Sequence, residues 1–146
     1  MNAFDLKSVL LAKHAQHVVL VHFPIALFLI GVAFDFIAQR THCATLAAAA
    51  YYNLLVAAMS ALPVAATGIM AWRWQLEGAR LQGSLLLHFI LGIVSSVFIC
   101  TSWWIHYRTR RRADHPLPGY RMPLELAGVF VVALTGHLGG FLSGVN

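Results

Sequence analysis

Eight histidines occur along the 146 residues, and four of them, His17, His22, His88 and His137, fall inside or at the mouth of long apolar runs. An ionisable ring in such a run is costly, faces the interior of a helix bundle and is functional by default. Neutral imidazole is an axial ligand for haem iron, and a b-type haem needs two such rings facing each other across a bundle. A flat macrocycle also needs small neighbours. These are present: Ala26 follows His22, Gly92, Ser95 and Ser96 follow His88, and Ala133, Gly136, Gly139 and Gly140 bracket His137. Arg73 and Arg80 are candidate partners for haem propionates through charge-assisted hydrogen bonds; the competing reading sets them among lipid headgroups. Each histidine taken singly also reads as a hydrogen-bonding group to a neighbouring helix. The glycines and alanines likewise read as close-packing ridges, Gly136, Gly140 and Gly144 on one helix and Ala57, Ala61 and Ala65 on another.

The elements that must hold these rings are membrane helices. Hydrophobic residues make up 60% of the chain and charged residues 10%, against about 25% charged in soluble domains, so a water-facing surface could not be covered. Four stretches, 16–38, 44–72, 84–106 and 123–144, reach the roughly 20 apolar residues that cross a bilayer as a helix. Their hydrophobicity is continuous rather than alternating, which excludes strands. The expected fold class is therefore all-α: a single domain, 1–146, forming an integral-membrane up-down four-helix bundle with consecutive helices antiparallel. At about 1.5 Å of rise per residue, His22, His88 and His137 then lie at one level, roughly 8–10 Å below the face that carries both termini, with His17 at the mouth. In such a bundle the first and third helices are diagonal. His22 and His88 are thus the expected axial pair, with His137 the alternative ligand.

Charge sets the expected orientation. Arg40, Arg108, Arg110, Arg111, Arg112 and Arg121 lie on one side against Lys7, Lys13, Arg73 and Arg80 on the other, and the RTRRR cluster at 108–112 marks the cytoplasmic side, leaving both termini outside. This rule accounts for the net charge of +5, and no nucleic-acid role is assigned. His42, His106 and His115 fall at or beyond the cytoplasmic edge, and Trp103, Trp104 and Tyr107 form an aromatic belt there. The N-terminal segment, without a clear cleavage site, is expected to be retained as an interfacial helix. Pro24 should bend the first helix, because it cannot donate to the Leu20 carbonyl. Asp35 is expected to partner Arg40 or a nearby histidine, and Glu125 to favour the N-terminal dipole of the fourth helix. Met59 and Met70 read as packing residues, and Cys43 and Cys100, without CxxC or CxxCH spacing, as free, buried thiols. A metal or proton conduit is disfavoured, since the inner half offers only Asp35 and His106. No Ser/His/Asp set, phosphate loop or carboxylate pair points to a hydrolase or transferase.

The segment HVVLVHFPIALFLIGVAFD, the lone His88 opening the third helix and the ending TGHLGGFLSGV together resemble a bacterial membrane family, domain of unknown function 2231. The likeness covers nearly the whole chain. Its marks are VHFPIAL with His22 and Pro24, then Asp35, Gly68, His88, and Gly139, Gly140, Gly144 and Val145; the ending departs from the family pattern at Phe141, Leu142 and Ser143. The resemblance implies four spans, and with the charge asymmetry the expected location is the bacterial inner membrane with both termini periplasmic. Related domains stand beside cytochrome c or Rieske-type modules, which favours electron transfer. The expectation is an electron-transfer subunit of a redox complex that binds haem b near its outer face, contacts membrane lipids and works with a periplasmic cytochrome or quinone. Whether the chain is an enzyme is left open. The alternative is a cofactor-free accessory or scaffold subunit.

Overall fold

The computed structural model describes residues 13–74, 76–111 and 117–143, with side chains from Gln16 onward. The N-terminal segment expected at the interface, His115, and the Gly144 and Val145 ending lie outside the described residues. Helix α1 (Lys13–Leu20) runs into α2 (His22–Thr41), followed by α3 (Ala44–Trp74), α4 (Gly83–Arg110) and α5 (Arg121–Leu142). Together α1 and α2 make the first of four candidate spans, Gln16–Thr41, and α3, α4 and α5 are the others. The bounds agree with the apolar windows to within a turn. The division at Val21 falls where the sequence places the proline effect: Pro24 leaves the Leu20 carbonyl without its i+4 donor, while Val21 keeps helical dihedrals of φ −61 and ψ −26 and accepts from the Ile25 N–H at 3.4 Å, so the helix continues across the interrupted ladder.

Helix α2 packs on α3, α4 on both α3 and α5, and α5 closes the ring against α2. Pairs of touching residues rise along one helix as they fall along its neighbour. Ser95 meets Thr135 and His106 meets Glu125 between α4 and α5, and His17 meets Thr67 between α1 and α3. Neighbouring helices are therefore antiparallel, in an up-down bundle whose first and third spans are diagonal. One end of this bundle carries the start of α1, the end of α5 and residues 76–82 of the connection between α3 and α4; the other carries the α2–α3 turn and Arg108, Arg110 and Arg111. We call them the terminal end and the arginine end.

Small residues set the closest crossings. A Cβ on Gly31 would lie 3.1 Å from Leu54 Cγ, and one on Gly128 would lie 3.0 Å from Phe28 Cζ and 3.1 Å from Phe98 Cβ. Along α3 the buried residues Ala50, Leu54, Ala57, Ala58 and Ala61 form one stripe at helical spacing. The core joins Phe28 and Val32 of α2, Leu54, Ala57 and Ala58 of α3, Ile99 of α4 and Val132 of α5. Its position is lopsided. Among the described residues, none is buried in α3 beyond Ala61, in α4 before Ser95 or in α5 after Val132, and Pro24 of α2 is the exception at that level, so the bundle is more closed toward the arginine end and more open toward the terminal end. Large apolar side chains such as Leu62, Val97 and Phe130 point outward, as a lipid-facing surface requires.

Three expectations change here. Cys43 and Cys100 are free, but Cys43 is only half-buried and Cys100 is exposed; a thiol counts as apolar, and in a membrane bundle an apolar residue serves equally well on the lipid side. Met59 and Met70 are exposed for the same reason. His106, expected at the edge, is 5% exposed, because α4 continues as far as Arg110 and the ring turns inward.

Candidate functional site

Two polar regions stand out, one in the open half and one in the closed half. In the open half, Ile25 lies against Gly136, where a Cβ would come within 3.3 Å of Ile25 Cδ1. One turn nearer the terminal end, His22 is therefore level with Gly139. The His88 ring rests on that same glycine from α4, so closely that a Cβ there would lie 2.9 Å from its Cε1. The shared depth of His22 and His88 is thus present, with α2 and α4 both leaning on the glycine run of α5. His22 is exposed, and its Nδ1–H donates to the Val18 carbonyl of its own span at 2.7 Å. That bond puts the proton on Nδ1 and the lone pair of the neutral ring on Nε2. His88 Nδ1 is buried with no partner in hydrogen-bonding geometry, although the Thr135 carbonyl acts on the ring from nearby.

His17 occupies the mouth as expected. Its ring covers Gly68, where a Cβ would come within 3.0 Å of Cε1, and its Nδ1 is 3.2 Å from Thr67 Oγ1. The Thr67 hydroxyl is also within hydrogen-bonding distance of the Pro63 and Val64 carbonyls of its own helix. Gly68 and Gly139 each therefore seat an imidazole from a neighbouring span. His137 is exposed, as are Arg73 and Arg80, and Arg73 stays close to Gly78 in the connection to α4. A Cβ on Gly92 or Gly140 would meet nothing within 4 Å, so these small residues border open space rather than a packed neighbour.

The closed half contains a cluster that sequence reasoning did not assemble. Arg121, the first residue of α5, donates from Nε to Asp35 Oδ2 at 2.8 Å and from Nη2 to Asp35 Oδ1 at 3.4 Å. Across the bundle axis, His106 Nε2 lies 2.9 Å from Glu125 Oε1 and 4.0 Å from Asp35 Oδ1. All four residues are at most 5% exposed. Asp35 thus takes Arg121 rather than Arg40, whose guanidinium lies over the Phe36 ring. Glu125 points into the bundle toward His106 instead of simply favouring its helix dipole. The inner half therefore offers more than Asp35 and His106. Asp35, His106 and Glu125 have ligand atoms within 4.8 Å of one another, yet the hydrogen bond joins two of those atoms directly and Arg121 holds the third residue. A signal was available: Asp35, His106, Arg121 and Glu125 all fall within about two turns of one membrane end, and Arg121 and Glu125 are four apart on one helix face.

Four long apolar helices, closely crossed through small residues and exposing large apolar side chains, define a polytopic α-helical membrane protein. The family described as predicted membrane protein (DUF2231) matches residues 13–145, and the chain belongs to that family. No curated protein and no solved structure matches the chain.

Proposed function

We propose that the protein is an electron-transfer subunit of a membrane redox complex and holds a b-type haem in the open half of the bundle, with His22 and His88 as axial ligands. The observation that carries this reading is the His22 Nδ1–Val18 hydrogen bond, the arrangement by which a protein orients a ligating imidazole and raises the basicity of its other nitrogen. His88, on the diagonal helix at the same level, has a buried ring nitrogen without a hydrogen-bond partner. The open space beside Gly92 and Gly140 suits a flat group. Two neutral imidazoles at one level are the donor set that such a cofactor would need, and it would supply one-electron chemistry there. The chain's own part is to fix the two rings on glycine-bordered helices and to leave the level open toward the terminal end. His137 remains the alternative ligand, and Arg73 and Arg80 the candidate partners for peripheral carboxylates.

The arginine cluster supports an orientation with both termini in the periplasm of a bacterial inner membrane, which would turn the open half toward a periplasmic cytochrome or toward quinone. The test is the absorbance spectrum of the protein purified from a haem-replete host. A Soret band with low-spin features, lost in His22→Ala and His88→Ala and kept in His42→Ala, is expected. A colourless wild type would overturn the reading in favour of a cofactor-free accessory subunit, and normal haem content in His22→Ala, His88→Ala and His137→Ala alike would overturn the assignment of these ligands. The His17–Thr67 bond between spans is the feature that favours that second reading.

A further inference from the structure

The cluster in the closed half has a charge count that fixes what it can hold. Asp35 and Arg121 cancel. Glu125 remains, fully buried, with Oε1 against His106 Nε2 and Oε2 without any hydrogen-bond partner. An ionised Glu125 beside a neutral His106 would leave one net negative charge in a low-dielectric interior, where an uncompensated charge is strongly unfavourable. One proton brings the sum to zero, whether it is drawn on the imidazole or on the carboxyl group. A divalent cation would leave the sum at plus one beside Arg121, and would have to displace the proton lying between Nε2 and Oε1. We infer that the His106–Glu125 pair is a binding site for a single exchangeable proton, held neutral by the Asp35–Arg121 pair.

Among the described residues, no other buried charged group enters this count. Asp35 faces the pair from α2, His106 stands on α4, and Arg121 and Glu125 stand on α5. The titratable groups of α3 nearest this level, Tyr51 and Tyr52, sit under the Arg110 guanidinium, 4.6 and 5.5 Å from it. Exchange is one-sided. His106 is four residues from the end of α4 and Glu125 four residues from the start of α5, which sets the pair roughly 6 Å inside the arginine end by helix rise. In the other direction the Ser102 hydroxyl, one turn along α4, has no partner, and Phe28, Ile99 and Val132 close the interior beyond it. The site is therefore an uptake and release point and not a through conduit.

Because the proposal is a charge count, it predicts how many protons each variant holds at neutral pH. The wild type should hold one. Asp35→Asn and Glu125→Gln should each hold none, Arg121→Gln two, and the double variant Asp35→Asn/Arg121→Gln one again. Infrared difference spectra, which read protonated carboxyl groups, and ¹⁵N-histidine NMR, which reads imidazolium, would count them on the purified full chain. Asp35→Asn is the decisive variant, since it leaves the His106–Glu125 contact in place and should nevertheless empty it. A folded Asp35→Asn with the proton retained, or a wild type with ionised Glu125 and neutral His106, would overturn the inference. So would one zinc or manganese ion bound per chain after incubation with the metal alone and lost in Glu125→Gln. If a single variant fails to fold, the double variant and the wild type still decide the count.

Discussion

Arg121 is the one fixed cation in a cluster with two carboxylates, which makes its removal the most informative perturbation of the fold. In Arg121→Gln, Asp35 at 2% exposure loses donors at 2.8 and 3.4 Å and keeps, among the described residues, a protonated His106 as its positive neighbour. Charge centres about 4 Å apart interact by about 4 kcal/mol at an effective dielectric of 20, in line with the roughly 3–5 kcal/mol lost when a buried pair is broken from one side. Asp35→Asn should cost less, about 1.5–3 kcal/mol for charge-assisted hydrogen bonds, because Arg121 still has Glu125 to compensate it. The double variant leaves neither charge stranded and should be no worse than Asp35→Asn, so that the coupling is at least the whole Arg121→Gln cost, about 3–5 kcal/mol. Reversible unfolding in mixed micelles at rising SDS fraction, followed by helical circular dichroism, measures all three. An Arg121→Gln cost below about 1 kcal/mol, or costs that simply add in the double variant, would refute this reasoning.

Gly128→Ala should destabilise by about 1–3 kcal/mol through overpacking, since its Cβ would meet Phe28 Cζ at 3.0 Å; Gly92→Ala, with nothing within 4 Å, should be neutral or gain up to about 1 kcal/mol from helix propensity, and the same micelle titration ranks them. Gly139→Ala should push the His88 ring off its seat and weaken any His88-dependent low-spin spectrum, read by absorbance against the wild type. A single cysteine at Arg110, with Cys43 and Cys100 first replaced by Ser, should resist a membrane-impermeant thiol reagent added to intact cells, whereas one at Asn146 should react; the reverse pattern would invert the orientation. Mild solubilisation followed by native gels should place the chain in a band with another redox protein, and migration only as a monomer or self-oligomer in several detergents would count against the subunit role.

The sequence carries some of these features openly and hides others, for a physical reason. Apolar length announces the four spans, and helix rise sets His22 and His88 at one level without knowledge of any contact. Pro24 foretells the division at Val21, because it concerns only the local chain. Helix rotation is different. In water, an apolar stripe declares which face is buried, but in lipid the outside is as apolar as the inside, and Leu54 in the core reads no differently from Leu62 on the surface. The exposure of Cys100 and the inward turn of His106 were lost for that reason. Arg121 and Glu125 were concealed by position: at the start of a helix beside a basic connection, they look like interfacial charges, and only the approach of α2 and α4 turns them into partners for Asp35 and His106.

The 86 residues that separate Asp35 from Arg121 also set a clock for assembly. At about 5–20 residues synthesised per second, Arg121 emerges roughly 4–17 s after Asp35. During that interval the first helix must reside in the membrane with Asp35 lacking the Arg121 partner that it takes in the finished bundle. A nascent protein lacking the fourth helix would therefore present a stranded acid that a finished one does not, and the last helix to insert is the one that signals completion.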